Sequence, residues 1–598
     1  MSRDDRRTLL WLSAILLAGA AVRVYGLGHG FPFEVHVDES FIVNPVLEMY
    51  RAGTLRPKEF LYPSLVYYVL LACAHLVGLF KEPTAFDLYV AGRLASAAFG
   101  TGTIALVFLT ARRAYGERTG LLASAFYAFT VTALRESHYY TTDSLNTFFI
   151  ALGVRYVVKV ALGDPARSYL WAGAAAGLAA GSKYNGALLL VPLLAAHLLR
   201  DEDEAKARRE IEHGTSEGAE TKTRRDAGAS ARHEGGTSPS FAARLKSLFF
   251  KLLSPRLVAA GLLSFVVFLL TTPYALIDRT LFLEQFARIG PSLSRELTAG
   301  NHQYLGTTPY WYYLSTLLFW AMGPALEAAC LAGLLFALAR RRKADVVILV
   351  WLAVYFGLVG GWLNKVTRYT LPMLPFLCVL GARLFVESAA LLRERGRRRL
   401  ARIVNALACL TLASAMLYAL AYLGIYARPH TGVEAARWLY ANAPEGSVVL
   451  LEEPTPQERP QPDAMRVIYP DEFFNAGARR FRFKYLWVPK FVPLDADPAP
   501  LRAELQETLA GVEYVVMSTR WYEGLHDSPA ASPVIRDYYR SLADGTAGFE
   551  LIKEFTSRPR LFCFEADDDA SELNFRVFDR PKVWIFRRRT DAPAAQRR

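Results

Sequence analysis

A chain of 598 residues could form several soluble domains, but 53% apolar content, with aromatics at 13% of the chain, excludes an ordinary soluble assembly. The formal charge of +13 would suit a nucleic-acid binder. The lysines and arginines, however, gather in short segments between apolar runs, which is how membrane spans are oriented, so no nucleic-acid partner is expected.

The N-terminal stretch "MSRDDRRTLLWLSAILLAGAA" places Arg3, Arg6 and Arg7 before an apolar run near 8–26. No cleavage site precedes "RVYGLG", so the run reads as a retained anchor with a cytoplasmic N-terminus. Further runs lie near 88–111, 119–134, 143–162, 168–182, 184–199, 255–272, 309–339, 345–362, 370–391 and 403–425. Crossing a bilayer takes roughly 20 helical residues, so these predict a polytopic α-helical membrane protein with about 11 transmembrane helices. Four of five cysteines (Cys73, Cys330, Cys378, Cys409) sit in apolar segments and Cys563 stands alone in the tail, which leaves no disulfide framework.

Just after the first run, "EVHVDESFIV" sets Asp38 and Glu39 side by side. The "DES" triplet also suits the start of an amphipathic helix over 40–52. Next, "YPSLVYYVLLACAHLVGLF" (62–80) is nearly long enough to span. Counting it as a span would put "ARRAYGER" (111–118), the charged segment 200–254, "RRRK" (340–343) and "RERGRRRLAR" (393–402) outside. Omitting it puts all four inside, as the distribution of positive charge requires. The segment 62–80 is therefore expected to lie in the outer leaflet, opened by Tyr62-Pro63. Segment 200–254, without periodicity, reads as a disordered cytoplasmic loop. Residues 1–425 then form the membrane domain. Residues 426–598 form an extracytoplasmic α/β domain, with a helix-turn-strand at "TGVEAARWLYANAPEGSVVLLEE" and strands at "GVEYVVMSTRWYEGL" and "RPKVWIFRR".

In this topology the outer loops carry the polar chemistry. The first holds Asp38, Glu39 and Tyr62; "RESHYYTTDSLNTFF" holds Arg135, His138 and Asp143; "GSKYNG" holds Lys183; "GNHQYLGTTPYWYY" holds His302; "LNKVTRYTLPMLP" holds Lys365, Arg368 and Tyr369. Nucleotide sugars are cytoplasmic, so an outward site needs a donor carried by the membrane, and a polyprenyl-phosphate-linked sugar fits. Transfer requires a base for the acceptor hydroxyl, which suits Asp38, and cations for the departing phosphate, which suit Lys183, Lys365 and Arg368. Tyr62, Arg135, Asp143, His302 and Tyr369 are candidate cavity residues. Asp38, Glu39 and Asp143 could also hold Mg²⁺ or Mn²⁺ through oxygen, and metal dependence stays open. Each residue has a plainer reading as well: Asp143 as a helix cap, His302 and His138 as interfacial hydrogen-bonders, Arg93 as a snorkelling side chain, Arg383 and Glu387 as an i,i+4 pair.

The ordered set "VDES", "YPSLVYYV", "GRLASAAFGT", "RESHYYTTDSLNTFF", "GSKYNG" and "KVTRYTLPMLP" resembles the membrane-embedded GT-C glycosyltransferases of family 39 type, which include protein O-mannosyltransferases and lipid A aminoarabinose transferases. The resemblance covers roughly 1–425. It implies a polyprenyl-phosphate-sugar donor, inversion at the anomeric carbon, catalysis by Asp38 with Glu39 beside it in the motif, a role for the second-loop acid Asp143, and phosphate contacts at Lys183 and Arg368. One departure counts against a lipid A acceptor: the charged pair that aminoarabinose transferases place before the proline is Leu61-Tyr62 here. The resulting expectation is a multi-pass glycosyltransferase of the cytoplasmic membrane acting on a lipid, glycan or protein hydroxyl. An O-mannosyltransferase acting on Ser or Thr of secreted proteins is the nearer alternative, and a lipid transporter or flippase the more distant one.

Overall fold

The computed structural model describes residues 3–31, 35–200, 251, 253–294, 296–297, 299–453 and 481–589. Most of the loop expected over 200–254 lies outside the described residues.

Helices occupy all eleven predicted runs. Arg3–Val24, Ala85–Tyr115, Thr142–Ala161, Leu374–Glu394 and Arg398–Tyr426 are long and apolar enough to cross a membrane. Shorter apolar helices, among them Tyr184–Leu199 and Pro255–Thr271, complete the bundle with Arg167–Ser182, Pro324–Arg340 and Lys343–Val359. Local sequence sets their ends. Thr84 opens Ala85–Tyr115 with a capping box: its hydroxyl accepts from the Asp87 amide at 3.3 Å, while the Asp87 carboxylate accepts from the Thr84 amide at 3.0 Å. The run near 309–339 is split where Gly323 adopts φ +81° and Pro324 begins a new helix.

Small residues let the helices approach closely. A Cβ added at Gly173 would stand 2.3 Å from the Ala260 carbonyl oxygen, at Gly177 2.5 Å from that of Ser264, and at Gly181 2.2 Å from Thr271 Oγ1. The four-residue spacing puts all three glycines on one stripe of Arg167–Ser182, against Pro255–Thr271, the packing device of membrane helices that lack a hydrophobic drive to associate.

Polar contacts divide the bundle into two ends. At one, Tyr115 donates to Asp345 at 2.6 Å, Arg113 pairs with Asp164, Arg200 donates to the Asp164 carbonyl at 2.8 Å, and Arg342 meets Glu387 at 2.6 Å. The basic segments near 111–118 and 340–343 fall at this end. At the other, His138 Nε2 lies 2.9 Å from the Tyr25 carbonyl, and Arg93 donates to the carbonyls of Leu27 at 2.7 Å and His29 at 3.0 Å. The chain thus reaches this second end at residue 25 and is still there at Arg93, before Ala85–Tyr115 takes it across. Residues 27–93 make no net crossing. Leu65–Gly78, 14 residues and about 21 Å long, is also short for a bilayer core of about 30 Å. It packs on the amphipathic helix Val37–Ala52, with Gly78 beneath the Tyr50 hydroxyl, consistent with a helix lying in one leaflet.

The tail forms a five-stranded sheet. Strands β1 (Val448–Glu453), β2 (Arg482–Trp487), β3 (Tyr514–Ser518), β4 (Phe549–Phe555) and β7 (Val583–Arg588) take the order β2-β1-β3-β7-β4, beside a small hairpin of β5 (Arg560–Leu561) and β6 (Phe564–Glu565). The strands β2, β1 and β3 are parallel; β7 runs antiparallel to β3 and β4. Alternation along β1 sends Val449 and Leu451 to one face, under helix Thr431–Asn442, and Leu450 to the other, among Leu501, Trp521 and Val534. One expectation is corrected: in "GVEYVVMSTRWYEGL" only Tyr514–Ser518 is strand, and Thr519–Leu525 is helical. Buried Trp521 and Leu525, and the stacked pair Tyr522 and His526 with centroids 4.5 Å apart, share the helical i,i+4 spacing.

Candidate active site

Asp38 sits in the first turn of Val37–Ala52, at the end of the bundle that also carries the tail. Neighbouring positions on a helix point about 100° apart, so Asp38 and Glu39 face different ways. Asp38 meets Arg368, a very short contact from guanidinium Nη1 to carboxylate Oδ2. Arg368 lies in the 3₁₀ turn Thr367–Thr370, and its Nε stands 4.0 Å from Asp143 Oδ2. The other oxygen of Asp143 accepts from Lys183 Nζ at 2.8 Å, and that ammonium lies 5.1 Å from the centroid of the Tyr369 ring. Asp38, Arg368, Asp143 and Lys183 therefore form one chain of alternating charge drawn from four separate loops.

Local structure fixes each member. Helix Thr142–Ala161 is capped by Thr141, whose hydroxyl accepts from the Asp143 amide at 3.4 Å; Asp143 is not the cap, and its carboxylate is free to face Lys183. One turn on, Asn146 donates to the Ala179 carbonyl at 2.9 Å and to Ser182 Oγ at 3.1 Å, anchoring the end of Arg167–Ser182 where Lys183 leaves in extended conformation.

The electrostatics favour an ionised Asp38. Burial works to raise the Asp38 carboxyl, but Arg368, His36 and Lys183 together hold it below its ordinary value. Burial would neutralise Arg368, yet Asp38 and Asp143 push it well above its usual range. Burial, then the Asp38 charge, raises the Tyr62 hydroxyl, so this phenol stays protonated as a donor facing the cluster. Arg368 Nε is a buried donor without a hydrogen-bond partner, and both Asp38 and Arg368 keep 17% side-chain exposure. The cluster is reachable and incompletely satisfied.

Several expected members stand elsewhere. Glu39 is fully buried: its carboxylate accepts from Arg93 Nε at 3.0 Å and Nη2 at 2.7 Å, and from the Tyr140 amide at 2.9 Å. It is a structural anchor, and Arg93 is its buried partner instead of a snorkelling side chain. The candidate metal set of Asp38, Glu39 and Asp143 is not assembled, because Glu39 faces away and Arg368 and Lys183 hold the other two. Among the described residues no three His, Cys, Asp or Glu side chains are grouped to hold a metal. Arg135 is committed to the tail, donating through Nε to Asp579 at 2.7 Å and pairing with Glu136. His302 Nδ1 lies 2.9 Å from Ser528 Oγ, also in the tail. Lys365 is 2% exposed, donates to the Leu363 carbonyl at 3.3 Å, and has its pKa lowered by burial.

The structure adds residues that sequence reasoning passed over. Glu136, inside the quoted "RESHYY", is fully buried, and burial pushes it up to about 7 although Arg135 and Arg368 pull the other way. His36, two residues before Asp38, is fully buried between the rings of Tyr139 and Phe578, at 4.7 and 4.3 Å, and burial lowers it to about 3. Adjacency to the motifs was the signal for both. Glu572, Phe578 and Asp579 reach the same surface from the tail, with no signal in the sequence.

A family model described as dolichyl-phosphate-mannose-protein mannosyltransferase matches residues 73–216. The oligosaccharyltransferase of Archaeoglobus fulgidus in its apo form is similar in structure, at 13% identity and TM-score 0.50 over 95% of this chain and 75% of that chain. AglB from the same organism, in complex with an inhibitory peptide and a dolichol-phosphate, matches at 12% identity and TM-score 0.50 over 96% and 76%. ArnT from Cupriavidus metallidurans bound to undecaprenyl phosphate matches at 15% identity and TM-score 0.45 over 96% and 97%. No curated protein sequence matches. The chain has the GT-C fold, and its residues 73–216 resemble the protein mannosyltransferase family.

Proposed function

We propose that this chain is an inverting glycosyltransferase that moves a sugar from a polyprenyl phosphate to a hydroxyl acceptor at the outer face of the cytoplasmic membrane. The observation that carries the reading is the alternating set Asp38–Arg368–Asp143–Lys183 at the end of the bundle away from the basic segments. The donor's phosphodiester entering this set offers two non-bridging oxygens, which share one negative charge, to Arg368, whose Nε lacks a partner, and to Lys183. As Arg368 turns to the phosphate, Asp38 loses its strongest neighbouring cation and becomes more basic. It then takes the proton of the acceptor hydroxyl as that oxygen attacks the anomeric carbon. The bond from that carbon to the phosphate oxygen breaks, and the electron pair leaves on the polyprenyl phosphate, where the two cations stabilise it. A single base and one displacement imply inversion.

An apolar cleft of about 710 Å³ supports a lipid-borne donor. Its walls include Leu331, Leu334, Leu349 and Phe356, and it runs from Arg341, at the basic end, to Leu314 and Met373. Met373 lies five residues beyond Arg368. The match to a protein mannosyltransferase family favours a protein Ser or Thr as the acceptor.

The test is transfer by the purified full chain in nanodiscs, given radiolabelled polyprenyl-phosphate mannose with either Ser/Thr peptides or envelope lipid and glycan acceptors. Labelled glycoside with the anomeric configuration opposite to the donor's is expected. Lipid movement across proteoliposomes without glycoside formation would identify a transporter and refute the proposal.

A further inference from the structure

The segment from Glu572 to Asp579 joins the tail to three of the loops that build the candidate site. Glu572, 2% exposed, shares its carboxylate among three residues. Oε2 accepts from the Thr367 amide and from Thr367 Oγ1, each at 3.1 Å; Oε1 accepts from the Tyr304 hydroxyl at 2.7 Å and from the Asn574 amide at 2.7 Å. Thr367 opens the four-residue turn that carries Arg368. Further along the same segment, Asp579 accepts from Arg135 and the Phe578 ring covers His36.

We propose that Glu572 is a positioning residue for the donor phosphate: the tail, through this carboxylate, holds the Thr367–Thr370 turn so that Arg368 points into the cluster. The inference rests on the transferase reading above. A turn of four residues has little internal hydrogen bonding to fix its orientation, and its first amide would otherwise go without a partner in a buried position. A buried carboxylate that takes both the amide and the hydroxyl of Thr367 fixes the backbone one bond from Arg368. Charge-assisted bonds of this kind are about twice as strong as neutral ones. The same carboxylate is tied to Tyr304, so the turn, the 299–304 segment and the tail move as one body. Sequence separation explains why the role is hidden: Glu572 and Thr367 stand 205 positions apart. The tail therefore completes the phosphate site without touching substrate.

The experiment measures, on the full chain in nanodiscs, the Kd of a C55 polyprenyl monophosphate and the steady-state kinetics with its mannosyl form. Glu572→Gln keeps a single acceptor oxygen and cannot accept from both Thr367 and the Asn574 amide. Thr367→Val removes only the hydroxyl donor, and Thr367→Ser restores it. Glu572→Gln and Thr367→Val are each expected to raise Kd and donor KM by about three- to tenfold, with kcat within about twofold of wild type. The double variant is expected to be no worse than the weaker-binding single one. Thr367→Ser is expected to recover the affinity lost in Thr367→Val. Should Glu572→Gln fail to fold, the Thr367→Val and Thr367→Ser pair decides alone. Unchanged Kd in the variants, multiplying effects in the double variant, or a fall in kcat at constant KM overturns the inference while leaving the transferase reading intact. A wild type that binds the polyprenyl phosphate but forms no glycoside overturns the transferase reading, with the Kd series still judging Glu572. A wild type that does not bind it overturns both.

Discussion

The two ends of the bundle each hold an arginine between carboxylates, and they differ in what is left unfilled. At the basic end, Arg383 pairs with Asp345 and, at 3.0 Å, with Glu387, while Tyr115 donates to Asp345. Side-chain exposure there is 1% for Arg383 and 0% for Asp345. At the tail end, Arg368 stands between Asp38 and Asp143 with an unpartnered Nε and 17% exposure. The residue types are alike. A closed, saturated cluster ties helices together, whereas one with water access and an unused donor can accept a ligand.

This contrast can be broken by substitution. The largest effect is expected from Arg383→Ala. It strands Asp345 in a buried position and should cost about 3–5 kcal/mol of stability, read as a lowered melting temperature in detergent, with kcat per folded molecule unchanged. Arg368→Lys keeps the charge but loses the planar fork. It should raise donor KM by about tenfold with little change in melting temperature. If Arg368→Lys melts the protein or Arg383→Ala abolishes turnover in the folded fraction, the division between the two clusters fails.

A smaller effect concerns pH. In the free protein Arg368, with His36 and Lys183, holds Asp38 below its ordinary value against the opposing effect of burial. The ionised form therefore persists to lower pH than in an ordinary aspartate, and any stability it lends is present above the unfolded pKa and lost as pH falls through the folded one. In the proposed mechanism donor phosphate draws Arg368 away and raises Asp38. The acid limb of kcat, which reports the bound complex, should therefore lie at higher pH than the acid limb of kcat/KM, which reports free enzyme. Coincident limbs would mean that Arg368 never leaves Asp38. The smallest effect is expected at Gly177→Ala: the added methyl meets the Ser264 carbonyl at 2.5 Å and should lower stability by about 1–3 kcal/mol with donor affinity unaffected.

Much of the architecture was legible because apolar length and charge placement are direct consequences of the bilayer. All eleven runs are helical, and excluding 62–80 from the spans agrees with the chain remaining at one end from residue 25 to Arg93. Asp38, Asp143, Lys183 and Arg368 were legible as an ordered motif set, and they meet. Glu39 was misread because adjacency in sequence suggests adjacency in a site, while the helix turns neighbours apart, here toward Arg93. The tail's contribution was illegible for a different reason. Asp579 meets Arg135 across 444 residues, and no local pattern encodes such a pairing. The helix at Thr519–Leu525 was masked by a β-rich preceding run, although Trp521 and Leu525 carried its spacing.

The central claim is that Asp38 removes the acceptor proton after the donor is bound. Single-turnover transfer by Asp38→Asn, measured beside polyprenyl phosphate binding by the same preparation, tests it most directly. The account expects the donor to bind within about threefold of wild type while transfer slows by about 10²–10⁴-fold. Transfer at the wild-type rate by Asp38→Asn would contradict it.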